Sequence, residues 1–199
     1  MINISNISNK KPFQKFKDFY LNALKSEQLN IDAVCISSFS NSKREVNSRF
    51  VNLKIVDGER FIFFSNYKSP KGIEFQEHDQ ISAAIFWNKV NVQIRIKANI
   101  KKITKEFNKI YFMNRDIKKN ALAISSNQSK VVDSFDDVIN NYKTALKTAN
   151  LKDCPDYWGG YEFTPYSIEF WEGDENRLNK RELYTKNQIN DWSKSIIQP

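Results

Sequence analysis

Apolar residues recur at helical spacing between residues 12 and 28, where Phe13, Phe16, Tyr20, Ala23 and Leu24 fall on one face. Pro12 suits the first turn of that helix, because its missing N–H would have no partner there anyway. The period then changes. Residues 33–39 form a short apolar, strand-like stretch, and residues 48–56 alternate with Val51, Leu53 and Ile55 as one set. Asp57-Gly58 is a hairpin turn leading into a strand over residues 60–65. Ser69-Pro70 reads as a helix cap followed by proline at the first helical position, predicting a short helix to about His78. Residues 81–87 and 92–100 form a second strand pair. In the latter, Val92, Ile94, Ile96 and Ala98 share one face and Gln93, Arg95 and Lys97 the other. Residues 104–113, 117–125 and 134–150 read as helices, and 161–163, 167–172 and 181–184 as strands. This succession predicts a mainly β chain with peripheral helices, an α+β barrel or folded sheet. It is expected to be one domain over residues 1–199, with a polar, asparagine-rich and flexible segment at residues 1–11.

Composition narrows the chemistry. Hydrophobic residues make up 40% of the chain and include 15 Phe, enough to fill a core. No apolar run approaches the roughly 18 residues that a membrane span needs. The N-terminus has neither the apolar core of a signal peptide nor an arginine-rich amphipathic pattern, so a cytoplasmic protein is expected. Cys35 and Cys154 lack metal-ligand spacing, and His78 is the only histidine. Zinc chemistry and Ser-His or Cys-His nucleophilic catalysis are therefore set aside. The net charge of +8 is spread along the chain instead of gathered in one block. Without a pattern of stacking aromatics among basic residues, nucleic acid is not the expected partner. A phosphorylated small molecule suits the charge better.

Several short segments carry candidate chemistry. Strand alternation sends Arg49 and Lys54 to opposite faces. Ser65 and then Ser69-Pro70-Lys71-Gly72 bring hydroxyls, a lysine and backbone N–H groups to a helix start, the parts of a phosphate cradle. The same residues also describe a capped helix with surface lysines. Tyr111 and Arg115 are four apart, which in a helix puts phenol and guanidinium on one face, as a dianionic phosphate would require. A surface Tyr–Arg pair has the same spacing. Gln93 is a polar residue in an alternating strand and can equally face solvent. Near the C-terminus, Gly159 and Gly160 beside Trp158 and Tyr161 point to a backbone that something approaches closely. Arg177 and Arg181 suit an anion or a planar polar ligand.

In order and spacing these segments resemble the pyridoxamine/pyridoxine 5'-phosphate oxidases, FMN enzymes of vitamin B6 metabolism, from about residue 12 to the C-terminus. The resemblance implies an FMN-binding split β-barrel that forms a homodimer with flavin at the subunit interface. The implied reaction oxidises pyridoxine or pyridoxamine 5'-phosphate to pyridoxal 5'-phosphate, with oxygen as acceptor. It assigns Arg49, Phe50, Val51, Lys54, Phe64, Ser65, Lys71, Gln93, Trp171 and Arg181 to FMN. Gln128 and Ser129 are implied to reach the FMN of the other subunit. Lys54, Tyr111, Arg115 and Lys119 fall at the substrate phosphate, and Arg177 and Asn179 at the reacting ring as the catalytic positions. The chain departs from the family pattern at Asn179 (usually histidine), Pro70 (arginine), Phe64 (tyrosine), Lys119 (serine) and Ile124 (tryptophan). An amide at residue 179 exchanges hydrogen bonds but cannot carry the proton or charge of an imidazole. Most departures lie on the substrate side. The same fold and flavin with another substrate, or a non-catalytic flavin-binding protein, are the alternative readings.

Overall fold

Alternating apolar residues close a sheet on itself. The computed structural model describes residues 1–199 and contains nine strands and five α-helices. Strands β1 (Asn3–Ser5), β2 (Ala33–Ser40), β3 (Glu45–Asp57), β4 (Arg60–Asn66), β5 (Gln80–Trp87), β6 (Val92–Lys102), β7 (Trp158–Glu172), β8 (Lys180–Lys186) and β9 (Trp192–Ile196) form one sheet. Six of them close an antiparallel ring in the order β3-β2-β5-β6-β7-β4 and back to β3. Helices α1 (Lys11–Lys25), α2 (Pro70–Glu77), α3 (Lys105–Met113), α4 (Ile117–Ser125) and α5 (Phe135–Thr148) surround it. No helix is long and apolar enough to cross a membrane.

Closure depends on two strands that change partners. Residues 45–52 of β3 pair with β2, and residues 53–57 pair with β4. A bulge between Leu53 and Ile55 marks the change and reverses the alternation, so Leu53 and Val56 are the residues buried inside. The alternating set expected through Ile55 therefore ends at Leu53. Strand β7 lies between β4 and β6 in its first half and between β6 and β8 in its second. The two strands expected at 161–163 and 167–172 are this one strand. Its irregularity opposite Lys97 and Ala98 falls beside Pro165, where a missing N–H is tolerated.

The expected N-terminal helix is α1, and its Phe13, Phe16, Tyr20 and Ala23 are buried. Phe16 meets Phe61 edge-on at 5.1 Å and tilts against Trp87 at 5.8 Å. The segment expected to be flexible, residues 1–11, is instead tied down. Ile2 is buried, its N–H donates to the Tyr20 hydroxyl at 3.0 Å, and β1 pairs in parallel with β3. Strand β9 was not foreshadowed by any alternating pattern. Trp192 fixes it by packing edge-on against Phe13 at 5.6 Å.

Replacing Phe16 by Ala removes a fully buried ring from the contact between α1 and the barrel. We expect a loss of about 3–5 kcal/mol in unfolding free energy, measured by urea denaturation.

Candidate functional site

Where β3 leaves β4, its residues 45–52 pair only with β2 and leave one edge open. A cavity of about 630 Å³ lies along this edge. Arg49, Phe50, Val51 and Lys54 of β3 line it, together with Phe64 and Ser65 at the end of β4 and Lys71 of α2. Tyr111, Arg115, Gln128 and Ser129 complete the wall. Arg49 and Lys54 were expected on opposite faces, yet both line the one cavity, because it follows the strand's free edge. Gln128 and Ser129 were expected to serve a neighbouring subunit. They line the cavity of their own chain, where Gln128 Oε1 accepts from Ser65 Oγ and from the Asn66 N–H, both at 3.3 Å.

The electrostatics of this wall are uneven. Arg49 is paired with Glu74 at 2.8 Å, and Glu74 is held also by Ser38 and by Asn47 at 3.0 Å. Lys54 pairs with Asp32 at 2.6 Å. Burial would raise the Asp32 carboxyl, but the Lys54 ammonium outweighs it and holds the group below its usual range. Lys71 and Arg115 have no carboxylate partner. Lys71 is buried and donates only to the Ser69 hydroxyl at 3.3 Å. Burial, reinforced by the nearby Arg49 charge and opposed by Glu74, pulls its pKa down to about 8. Burial likewise lowers Arg115. Ser69 was expected to cap α2 and does stand at the N-cap, but its hydroxyl donates to the Asn66 carbonyl at 2.7 Å and makes no side-chain cap bond. Pro70 follows it and lines the cavity without an N–H to offer.

Tyr111 and Arg115 reach the cavity by different means from those expected. Helix α3 ends at Met113, so Arg115 lies in the turn before α4 and the two residues do not share a helix face. Tyr111 stacks on Phe64, with ring centroids 3.7 Å apart and planes 14° from parallel. Phe64 in turn stacks on Trp158 at 5.3 Å, and the Arg115 guanidinium lies 5.0 Å from the Trp158 ring centroid. What approaches the glycine pair is protein. A Cβ on Gly159 would lie 2.1 Å from the Tyr67 hydroxyl and 2.3 Å from Asn108 Nδ2. Asn108 Oδ1 accepts from the Gly160 N–H at 2.8 Å, and its Nδ2 donates to Tyr67 Oη at 2.9 Å. This clamp docks α3 on β7. Glu74, Asn108 and Asn120 escaped the sequence reading, because a polar residue in a helix looks the same whether it meets water or a buried partner.

The remaining candidates lie outside the cavity of their own chain. Phe86, Gln93, Trp171 and Arg181 face one another in a row across β5, β6, β7 and β8, on the outer face of the barrel. Phe86 is exposed in that row, and Phe50 is exposed on β3. Glu169 accepts from Arg181 Nε at 2.8 Å and from Arg95 at 2.6 Å. Arg177 sits in the exposed loop between β7 and β8 with a left-handed φ of 63°. Asn179 Oδ1 accepts from the Asp174 N–H at 3.1 Å and braces this loop. Lys119 is exposed and lines a smaller neighbouring cavity of about 270 Å³, sharing Arg115 as a wall.

Residues 22–139 match the family model described as pyridoxamine 5'-phosphate oxidase, and residues 158–199 match the pyridoxine 5'-phosphate oxidase C-terminal dimerisation region. The chain belongs to the pyridoxamine 5'-phosphate oxidase family. It is 30% identical over 190 residues to a pyridoxine/pyridoxamine 5'-phosphate oxidase of Leptospira interrogans, covering 94% of this chain and 88% of that one. It is 35% identical over 182 residues to the protein of the same name from Colwellia psychrerythraea, covering 90% and 83%. The fold is similar to that of PhzG from Burkholderia lata, solved with tetrahydrophenazine-1-carboxylic acid, with a TM-score of 0.89 and 23% identity over 96% of this chain and 93% of that one. A pyridoxamine 5'-phosphate oxidase-related, FMN binding protein from Nostoc punctiforme has a TM-score of 0.78 at 12% identity, over 96% and 99% of the two chains. Within this oxidase-family chain, the first matched region contains every residue that lines the large cavity. The second contains Trp171, Arg177, Asn179 and Arg181.

The depressed Lys71 pKa sets a pH dependence. Below pH about 8 the buried ammonium destabilises the folded state. Between about 8 and the ordinary lysine value of 10.5, the folded protein gives up a proton that the unfolded chain keeps, so stability rises with pH in that window. Replacing Lys71 by Met removes this contribution. The difference in unfolding free energy between variant and wild type is expected to be largest below pH about 8 and to shrink toward pH 10.5, followed by denaturation at each pH.

Proposed function

We propose that the protein is an FMN-dependent oxidase that converts pyridoxine or pyridoxamine 5'-phosphate to pyridoxal 5'-phosphate, with oxygen as the electron acceptor. One observation carries this reading. A single cavity of about 630 Å³ is walled by two half-buried or buried cations, Lys71 and Arg115, that no carboxylate neutralises. An uncompensated buried cation is costly unless an anion completes it. A phosphorylated cofactor and a phosphorylated substrate supply two such anions. Lys71, Ser65 and Arg49 would hold the FMN phosphate and the chain leading to it. Arg115, with Tyr111 and Lys54, would hold the phosphate of the substrate. The Arg49–Glu74 and Lys54–Asp32 pairs keep two further cations aimed at the cavity with part of their charge already balanced.

The flavin ring would extend beyond this wall. Gln93, Trp171 and Arg181 lie on the barrel's outer face and would come from a second copy, which gives a homodimer with two shared sites. Exposed Phe50 and Phe86 beside that face are suited to burial in such a contact. Arg177 and Asn179, on the β7–β8 loop, would reach the substrate ring from the same second copy. When bound, FMN supplies the two-electron chemistry, taking electrons from substrate and passing them to oxygen. The alcohol then leaves as aldehyde with hydrogen peroxide as co-product, and the amine requires one water and releases ammonia. The protein's share is orientation and charge. The Tyr111–Phe64–Trp158 stack fixes the phenol before ligand arrives, and Arg115 offers a fork for a dianionic phosphate.

The test is anaerobic mixing of FMN-loaded protein with each B6 phosphate in turn. Loss of the yellow flavin absorbance, reversed by air with pyridoxal phosphate formed, is expected. Flavin that binds yet stays oxidised with both compounds sinks the reading. A second reading keeps the flavin and changes the substrate, because Asn179 stands where the family has histidine and its oxygen is engaged by the Asp174 N–H. That reading requires Asn179→His to increase turnover of pyridoxine phosphate sharply. We expect a change of less than about fivefold, roughly 1 kcal/mol in barrier, as for a tolerated replacement.

A further inference from the structure

Arg115 is oriented without being neutralised. Its Nη1 donates to the Lys119 carbonyl at 3.0 Å and to Asn120 Oδ1 at 3.2 Å, and its guanidinium packs over Trp158. Both acceptors are uncharged. They fix the plane of the fork and leave its positive charge intact, whereas a carboxylate in either place would form an ion pair and spend that charge inside the protein.

Asn120 is the better determined of the two. It is 0% exposed. Its Nδ2 donates to the Phe112 carbonyl at 2.8 Å and to the Leu151 carbonyl at 2.9 Å. A side-chain amide has two N–H bonds and one carbonyl. With both N–H bonds directed at main-chain oxygens, Oδ1 has to face Arg115. The flipped amide would set its oxygen against two carbonyls and its N–H groups against a guanidinium, losing every bond. The orientation of Asn120 is thus set by the last turn of α3 and by the segment after α5. It passes that orientation to a guanidinium that lies in a turn and has no helix to hold it.

We propose that Asn120 is a positioning residue that aims Arg115 at the phosphate of the substrate while keeping the full guanidinium charge available to it. The inference rests on the reading of Arg115 as the anchor of a phosphorylated substrate.

The experiment is a double-mutant cycle on the FMN-loaded protein, with KM and kcat for pyridoxine 5'-phosphate measured for wild type, Asn120→Ser, Arg115→Ala and the double variant. Asn120→Ser is expected to raise KM about tenfold, the scale of one charge-assisted hydrogen bond, and to lower kcat less. In the Arg115→Ala background the same change is expected to leave KM unaltered. A purely structural role would instead show equal losses in both backgrounds, and that result overturns the assignment. An unchanged KM in Arg115→Ala alone overturns the phosphate-anchor reading beneath it, so the two failures are distinct. If Asn120→Ser does not fold, nitrogen-detected NMR of the wild-type protein decides. The Arg115 guanidinium, identified by its disappearance in Arg115→Lys, is expected to rotate slowly about Nε–Cζ and to shift when pyridoxal 5'-phosphate is added. Rotation as fast as that of solvent-exposed arginines overturns the proposal.

Discussion

The site exists because strand β3 is paired on one edge only over its first half. Strand β3 pairs with β2 up to residue 52 and with β4 from residue 53, and the bulge at the change closes the ring. A backbone that has turned from one partner to another leaves an unpaired edge behind it. Open edges invite other chains or ligands, since their N–H and C=O groups still need partners. Here the edge is walled by α2, α3 and the loop after α4, which makes a cavity of it.

Around that edge the protein spends its charges in two ways. Arg49 and Lys54 are balanced by Glu74 and Asp32. Lys71 and Arg115 are braced by neutral groups, a hydroxyl in one case and a carbonyl with an amide in the other. The balanced pair can be placed at little electrostatic cost and contributes shape. The unbalanced pair holds the attraction for anions in reserve. The partner each cation meets, Glu74 for Arg49, Asp32 for Lys54, Ser69 for Lys71 and Asn120 for Arg115, decides which class it belongs to. Glu74, Asn108 and Asn120 also dock α2, α3 and α4 against their neighbours.

Short-range patterns determined most of the elements. Alternation identified β3 and β6, an apolar run β2, the Asp57-Gly58 turn β4, helical spacing α1, and Ser69-Pro70 the start of α2, because each of these signals depends only on neighbours a few residues apart. The N-terminal strand β1 and the last strand β9 were not legible. Each is five residues or fewer, and pairs with β3 or β8 in a place reinforced by a distant contact, Ile2 with Tyr20 and Trp192 with Phe13. The order of motifs was enough to point to the family, and the names of the residues gathered at the cavity were largely in hand from that order.

What the sequence could not settle by itself is how those residues are aimed. Arg115 was expected on a helix face and lies in the turn after α3, where the Asn120 amide, itself held by the Phe112 and Leu151 carbonyls, supports the guanidinium. Gln128 was expected to face a neighbouring subunit and closes on Ser65 of its own. The glycine pair promised a close approach, but only the packed structure shows that Asn108 and Tyr67 make it. Sequence by itself determined the periodicities and the residue types offered for binding, since those follow from local backbone preference and burial, and its family resemblance implied the barrel. Tertiary structure decided partners, pairing and residual charge. These depend on groups tens of residues apart, whose meeting no local pattern encodes.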